Sequence, residues 1–162
     1  MSKKINTQQE HFLTKEGKNK LIEELNYLVS EIRPKVIQEI KDARLLGDLS
    51  ENAEYDAARE KQAKIEDRIR ELQIILENTV VANVSKTKTV KIGSTIEIEK
   101  VETKEKLIFQ IVGVLEVDPL AKPIAKISND SILAKSILNK EEGQIVEVRA
   151  KNVYKVKIVK IN

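Results

Sequence analysis

No cysteine occurs in the 162 residues, which excludes disulfides, thiolate zinc sites and a cysteine nucleophile together. Tryptophan is also absent and aromatics reach only 3%, too little to build a stacking platform for single-stranded nucleic acid. No apolar run approaches the ~18 residues needed to span a bilayer. The opening MSKKINTQQEH is polar, without the apolar segment of a secretory signal. A cytoplasmic protein with no membrane association is expected. The single histidine, His11, falls in this polar opening, where it is expected to do nothing specific. Nucleophile elbows, phosphate loops and paired-histidine metal spacings are missing, so conventional catalysis finds little purchase.

What is present is a soluble chain, 41% apolar and 34% charged, long enough for one medium domain or two small ones. The net charge of +3 hides an asymmetry: residues 1–79 carry −2 and residues 80–162 carry +5. Two surfaces with different tasks would produce it, and so would lysine-rich strands with solvated edges.

In the first half Thr14 is placed to cap a helix starting at Lys15-Glu16. From there Leu21, Leu25, Leu28, Ile32, Val36, Ile40 and Ala43 form one apolar stripe at steps of three and four. Three consecutive steps of four from Leu28 to Ile40 predict local underwinding. Pro34 within that segment predicts a bend or local adjustment rather than a helix end. A second stripe runs Tyr55, Ala58, Gln62, Ile65, Ile69, Leu72, Leu76. Ala43 with Tyr55, Ile40 with Ala58 and Val36 with Gln62 have residue numbers adding to 98. Ile32 with Ile65, Leu28 with Ile69, Leu25 with Leu72 and Leu21 with Leu76 add to 97. A near-constant total is what an antiparallel hairpin requires. Its rod from Leu21 to Ala43 is roughly 33 Å long at about 1.5 Å per residue. Gln62 in the seam is expected to be locally hydrogen-bonded or partly exposed.

After Asn78 the apolar period changes from about 3.6 to 2. Strands are predicted over 95–99, 106–114, 123–127, 144–149 and 153–161, with a short helix over 131–138 capped by Asp130 or Ser131. The fold class is therefore α+β: an N-terminal antiparallel two-helix coiled-coil hairpin over 1–79 with an acidic tip at 47–54, and a small, mainly antiparallel β domain with one short helix over 80–162. Phe109 and Tyr154 are expected in the core of that domain.

Chemistry has one candidate location, the turn GDLSENAEYDAAREKQ from Gly47 to Gln62. Between Leu45 and Asp56 it carries Asp48, Glu51, Glu54 and Asp56 and no base. Two readings compete on spacing. Gly47 can end the first helix while Asp48 with Glu51 forms an aspartate version of the capping box, or Ser50 serves as the N-cap. Alternatively Asp48 and Glu51 project from the end of the rod as metal ligands. Two carboxylates alone bind magnesium poorly, because the ion dehydrates reluctantly and takes one or two carboxylates together with substrate phosphates. Such a pair becomes a metal site only inside a larger active centre, which suits two-metal phosphoryl chemistry.

GDLSENAEYDAARE resembles the tip motif of the Gre family of bacterial transcript cleavage factors, on its GreA rather than GreB branch by Leu49, Ala53, Glu54 and Tyr55. TKEGKNKLIEELNYL followed by Arg33-Pro34, VKIGSTIEIE, and the VG..E.DP pattern at 112–119 extend the likeness over nearly the whole chain. The resemblance implies a transcription elongation factor that inserts its coiled coil into the secondary channel of bacterial RNA polymerase. There it stimulates the polymerase's own cleavage of the 3′ end of backtracked nascent RNA. It implies that Asp48 and Glu51 complete the polymerase active site by sharing a Mg2+ ion that the isolated protein, expected as a monomer, does not hold. It implies further that the C-terminal half is FKBP-like and docks at the channel mouth through Asp118 and Pro119. Arg44 and Arg59, with Ser50 and Asn52 of the tip, are the implied contacts to RNA and polymerase; by spacing alone the two arginines are ordinary surface residues. Where the family usually reads SPLGRALLGK this chain has SILAKSILNK, with Ile132 for proline and Asn139 for glycine, and a few residues are added after Pro119.

Other functions fit less well. A channel-occupying inhibitor that promotes no cleavage is the alternative within the family. A prolyl isomerase needs an aromatic-lined pocket, for which the second half offers one phenylalanine and one tyrosine. Independent duplex binding by the basic half lacks a clustered basic run or a recognition motif.

Overall fold

The computed structural model describes residues 11–45, 53–82 and 88–162. The chain divides into two compact units, Lys18–Asn78 and Thr79–Asn162 together with residues 11–17. The division expected at 79/80 differs from this grouping in residues 11–17 and in Thr79.

In the first unit, α1 (Lys15–Tyr27, its first turn grouped with the second unit), a π-helical segment (Leu28–Ile32) and α2 (Arg33–Leu45) follow one another without a break. α3 (Ala53–Glu77) returns. The Arg33 N–H donates to the Leu28 carbonyl, a five-residue step. A wider turn relieves the clash that a proline ring makes with the carbonyl four residues back, which accounts for this adjustment next to Pro34. It is also the predicted underwinding. One extra residue in that turn explains why the pairing total drops by one between Val36–Gln62 and Ile32–Ile65.

Val36, Ile40 and Ala58 form the buried heart of the seam, with Ile32, Tyr55 and Ile65 packed against them. Ala43, Ile69 and Leu72 are also buried, as is Ile75, which the stripe omitted. Ion pairs cross between the helices: Arg68 Nε and Nη2 to Glu24 at 2.7 and 3.0 Å, Arg33 Nε to Glu66 at 2.7 Å, and Lys61 Nζ to Glu39 at 2.7 Å. Partner numbers fall on one helix as they rise on the other, so the helices are antiparallel.

In the second unit, β3 (Thr95–Lys100), β4 (Lys106–Val112), β5 (Ala125–Ser128), β6 (Ile145–Arg149) and β7 (Val153–Ile161) form one sheet in the order β5-β4-β3-β7-β6. All pairings are antiparallel except β4 with β5. Ile96, Ile98, Phe109, Ile111, Val148, Val156 and Ile158 turn one face into a core that α4 (Ile132–Ile137) closes with Ala134 and Ile137. Phe109 is buried there and Tyr154 packs against it. Ser131, not Asp130, caps α4 by accepting from the Ala134 N–H at 3.2 Å. β4 ends at Val112 and a 3₁₀ turn, Val114–Glu116, follows. β5 begins two residues beyond Pro123, because proline has no N–H for a ladder.

The polar opening requires a correction. His11–Leu13 is a strand, β1, paired in parallel with β2 (Thr79–Val81), and Leu13 is fully buried. His11 is thus a strand residue opposite Thr79 rather than part of a tail.

Candidate functional site

The predicted site residues fall into three groups. Asp48, Ser50, Glu51 and Asn52 lie outside the described residues. Arg44 and Arg59 stand on the helices that flank them, and Asp118 with Pro119 lies in the second unit.

Around the hairpin end the two sides of the seam differ in charge. On one side Glu39, Asp42 and Ala43 of α2 and Glu54, Ala57, Ala58 and Lys61 of α3 line a shallow groove. The lysine pairs with Glu39, and Asp42 accepts from Gln38 Nε2 at 2.8 Å. On the face of α3 that carries residues 55, 59, 62 and 66, Arg59 Nη1 donates to Gln62 Oε1 at 2.7 Å. This satisfies the polar seam residue as expected. Arg44 Nη2 donates to the Tyr55 hydroxyl at 3.4 Å, and its guanidinium carbon lies 5.6 Å from the ring centre. The Arg44 hydrogen bond, with lesser contributions from the charges of Arg44 and Arg59, holds the Tyr55 phenol below its ordinary pKa. Sequence reasoning placed Tyr55 in the seam and in the family motif but gave its side chain no partner; its hydroxyl was the signal that a polar partner was needed.

Among the described residues, no group of three or more histidine, cysteine, aspartate or glutamate side chains could hold a metal ion. Asp48 and Glu51, the pair expected to share a magnesium ion, lie outside the residues to which this applies.

In the second unit Asp118 shapes its own loop. Its N–H and carbonyl exchange bonds with Lys126 at 3.1 and 2.9 Å, and Oδ1 accepts from the Leu120 N–H at 3.1 Å. This leaves Asp118 and Pro119 exposed among Val114, Leu115, Val117 and Leu120, the last 87% exposed. The sequence pointed to the pair but not to these apolar neighbours.

The remaining residues of VG..E.DP have structural tasks. A Cβ on Gly113 would stand 1.6 Å from the Phe12 carbonyl oxygen. Glu116 accepts from the Thr14 N–H at 2.7 Å and from its hydroxyl, while the Gly17 N–H donates to Thr14 Oγ1 at 3.0 Å. Thr14 is thus the predicted N-cap, reinforced by a carboxylate at the positive end of the helix. Neither departure in 131–140 disturbs the backbone. Ile132 opens α4, where proline is accepted but not required, and Asn139 adopts φ +62°, a conformation asparagine tolerates best after glycine.

A helical hairpin in one unit and a five-stranded sheet with one short helix in the other make this an α+β protein. Residues 11–81 match the family described as "Transcription elongation factor, N-terminal", and residues 85–162 match "Transcription elongation factor, GreA/GreB, C-term". Transcription elongation factor GreA of Metamycoplasma arthritidis is 46% identical over 162 residues, covering 96% of this chain and 98% of its own. That of Neorickettsia sennetsu is 45% identical over 149 residues, covering 89% and 92%. Among solved structures, GreA factor homolog 1 of Thermus thermophilus is 26% identical over 95% of this chain and 99% of its own, with a TM-score of 0.44. The chain belongs to the GreA/GreB family of transcription elongation factors.

Proposed function

We propose that this transcription elongation factor inserts its hairpin into the secondary channel of bacterial RNA polymerase and stimulates the polymerase's cleavage of the 3′ end of backtracked RNA. The observation that supports this reading is the antiparallel seam of the two helices that flank residues 46–52. α2 ends and α3 begins on either side of 46–52, with seam and ion pairs in antiparallel register on both.

Asp48 and Glu51 would contribute carboxylate oxygens to a magnesium ion whose other ligands come from the polymerase and the RNA phosphate. When bound there, the ion supplies charge stabilisation to the reacting phosphate and lowers the pKa of water. Their part is thus to complete another protein's site. Arg44 and Arg59 offer guanidinium groups suited to phosphate at the RNA end. Exposed Asp118, Pro119 and their apolar neighbours are the surface through which the second unit docks on the polymerase.

The test is a cleavage assay on a backtracked complex. Asp48→Asn with Glu51→Gln should abolish stimulated cleavage while polymerase binding persists, and unchanged cleavage would falsify the assignment. Slowed synthesis with no short 3′ fragments released by the wild-type chain would instead mark an inhibitor of the polymerase.

A further inference from the structure

Arg44 is a long, exposed side chain near the C-terminal end of α2. Tyr55 differs. Its ring packs against the buried Val36, Ile40 and Ala58 cluster of the seam. The ring lies 5.6 Å from the Arg44 guanidinium carbon, and its hydroxyl accepts from Nη2 at 3.4 Å. One aromatic side chain therefore offers the cation both a π face and an acceptor. Arg59 follows Tyr55 by one helical turn on the same face of α3. Both guanidinium charges act on the Tyr55 phenol and favour its ionised form, which places the phenol within the field of the two cations.

We propose that Tyr55 is a positioning residue that anchors the Arg44 guanidinium on the Arg59 side of the hairpin, so that the two arginines meet an RNA phosphate as a pair. This rests on the cleavage reading above. Arginine is selective for phosphate only when its planar fork is oriented. A fork held by a core-anchored ring loses less freedom on binding than one free in solvent. The groove on the other side of the seam is lined by Glu39, Asp42 and Glu54 with Lys61, the lysine paired to Glu39, so the two sides differ in charge balance.

The experiment uses the full chain in two arms. In the free protein, NMR titration of the tyrosine rings should show the Tyr55 phenol ionising at higher pH in Arg44→Ala than in wild type; an unchanged titration overturns the contact. In the cleavage assay, Tyr55→Leu keeps the seam apolar but removes both holds. It should raise the concentration needed for half-maximal cleavage about two- to fivefold, the worth of an exposed cation–π contact, with Tyr55→Phe falling between. A seam role alone would act whether or not Arg44 is present. The decisive comparison is therefore Tyr55→Leu in an Arg44→Ala background, where it should add nothing; a full additional loss there overturns the proposal. If Arg44→Ala leaves cleavage intact, pairing with phosphate is overturned while cleavage stands. If the wild type stimulates no cleavage, the proposed function falls and the role given to Tyr55 falls with it.

Discussion

Replacing Gly113 by alanine tests whether β1 is an integral strand of the second unit. The glycine has φ −66° and ψ 162°, angles that alanine adopts without strain, so any cost must come from contact. The new Cβ would stand 1.6 Å from the Phe12 carbonyl oxygen and 2.7 Å from its carbon. Both are backbone atoms, and no rotamer change relieves them. β1 must move, and with it go the burial of Leu13, the pairing with Thr79–Val81, and the 2.8 Å bond from the Ala82 N–H to the Leu13 carbonyl. Re-exposing a leucine costs about 1.5–3 kcal/mol and a backbone hydrogen bond about 1 kcal/mol net. A local loss of about 2.5–4 kcal/mol follows, or about 60- to 700-fold in the opening equilibrium. A two-unit chain need not melt in one step, so the measurement is native-state hydrogen exchange. Protection at the Ala82 amide should fall by that factor in Gly113→Ala while Ile96, Ile98 and Val156 keep theirs. Gly143→Ala is the control: at φ +86° with nothing within 4 Å of its Cβ, it costs about 1–2 kcal/mol of left-handed strain and leaves Ala82 untouched. Wild-type protection at Ala82 in Gly113→Ala, or an equal loss in Gly143→Ala, would refute the reasoning.

The Arg33 hydrogen bond, opposed by burial, holds the Glu66 carboxyl below the ordinary glutamate value of 4.5. A depressed folded pKa gives stabilisation that is complete above pH 4.5 and lost as pH falls through the folded value. Both side chains are about one-third exposed, so the loss is under about 1 kcal/mol. The melting difference between wild type and Glu66→Gln should shrink on acidification below that point, and a difference independent of pH would count against the pair. In the second unit, Asp118→Asn keeps an oxygen for the Leu120 N–H and should hold stability within about 0.5 kcal/mol, whereas Asp118→Ala loses about 1 kcal/mol with that bond. If the charge is used in docking, Asn weakens polymerase binding without shifting the melt; equal binding by both proteins removes Asp118 from the contact.

The hairpin was legible because its stabilising pattern is repetitive. Seven seam positions on each helix, all apolar but Gln62, set against one another in reverse, specify both period and register, and even the extra residue near Pro34 left a mark as a one-unit slip. The sheet was legible for the same reason, since its strands are long enough to alternate. β1 was not: three residues cannot display a period, and its partner lies beyond both helices. Nor could spacing reveal that Glu116 answers Thr14, because a carboxylate 102 residues away carries no local signature of its target. At the hairpin end the sequence singled out Arg44, Arg59, Ser50, Asn52 and the acids, all polar or charged. It gave the Tyr55 hydroxyl no role, because the apolar ring already satisfied the seam pattern.

The parallel pairing of β1 with β2 gives the hairpin a second description. Parallel neighbours require a connection of a dozen residues or more, usually helical, and residues 14–78 are that connection. Lengthening a closed loop costs little, about 0.6 kcal/mol per doubling, so strand pairing does not demand short joints. Yet a single residue separates strand from helix at each end, and each has its side chain committed. Thr14 caps α1 and bonds to Glu116, and Asn78 Nδ2 donates to the Ile74 carbonyl at 2.8 Å. The tightness at the first joint therefore comes from two fixed points in succession: the Phe12 carbonyl against Gly113, and Thr14 against Glu116. A residue inserted before Lys15 could preserve the strand or the cap, but the distance between the 3₁₀ turn's two ends, Gly113 and Glu116, does not stretch to keep both.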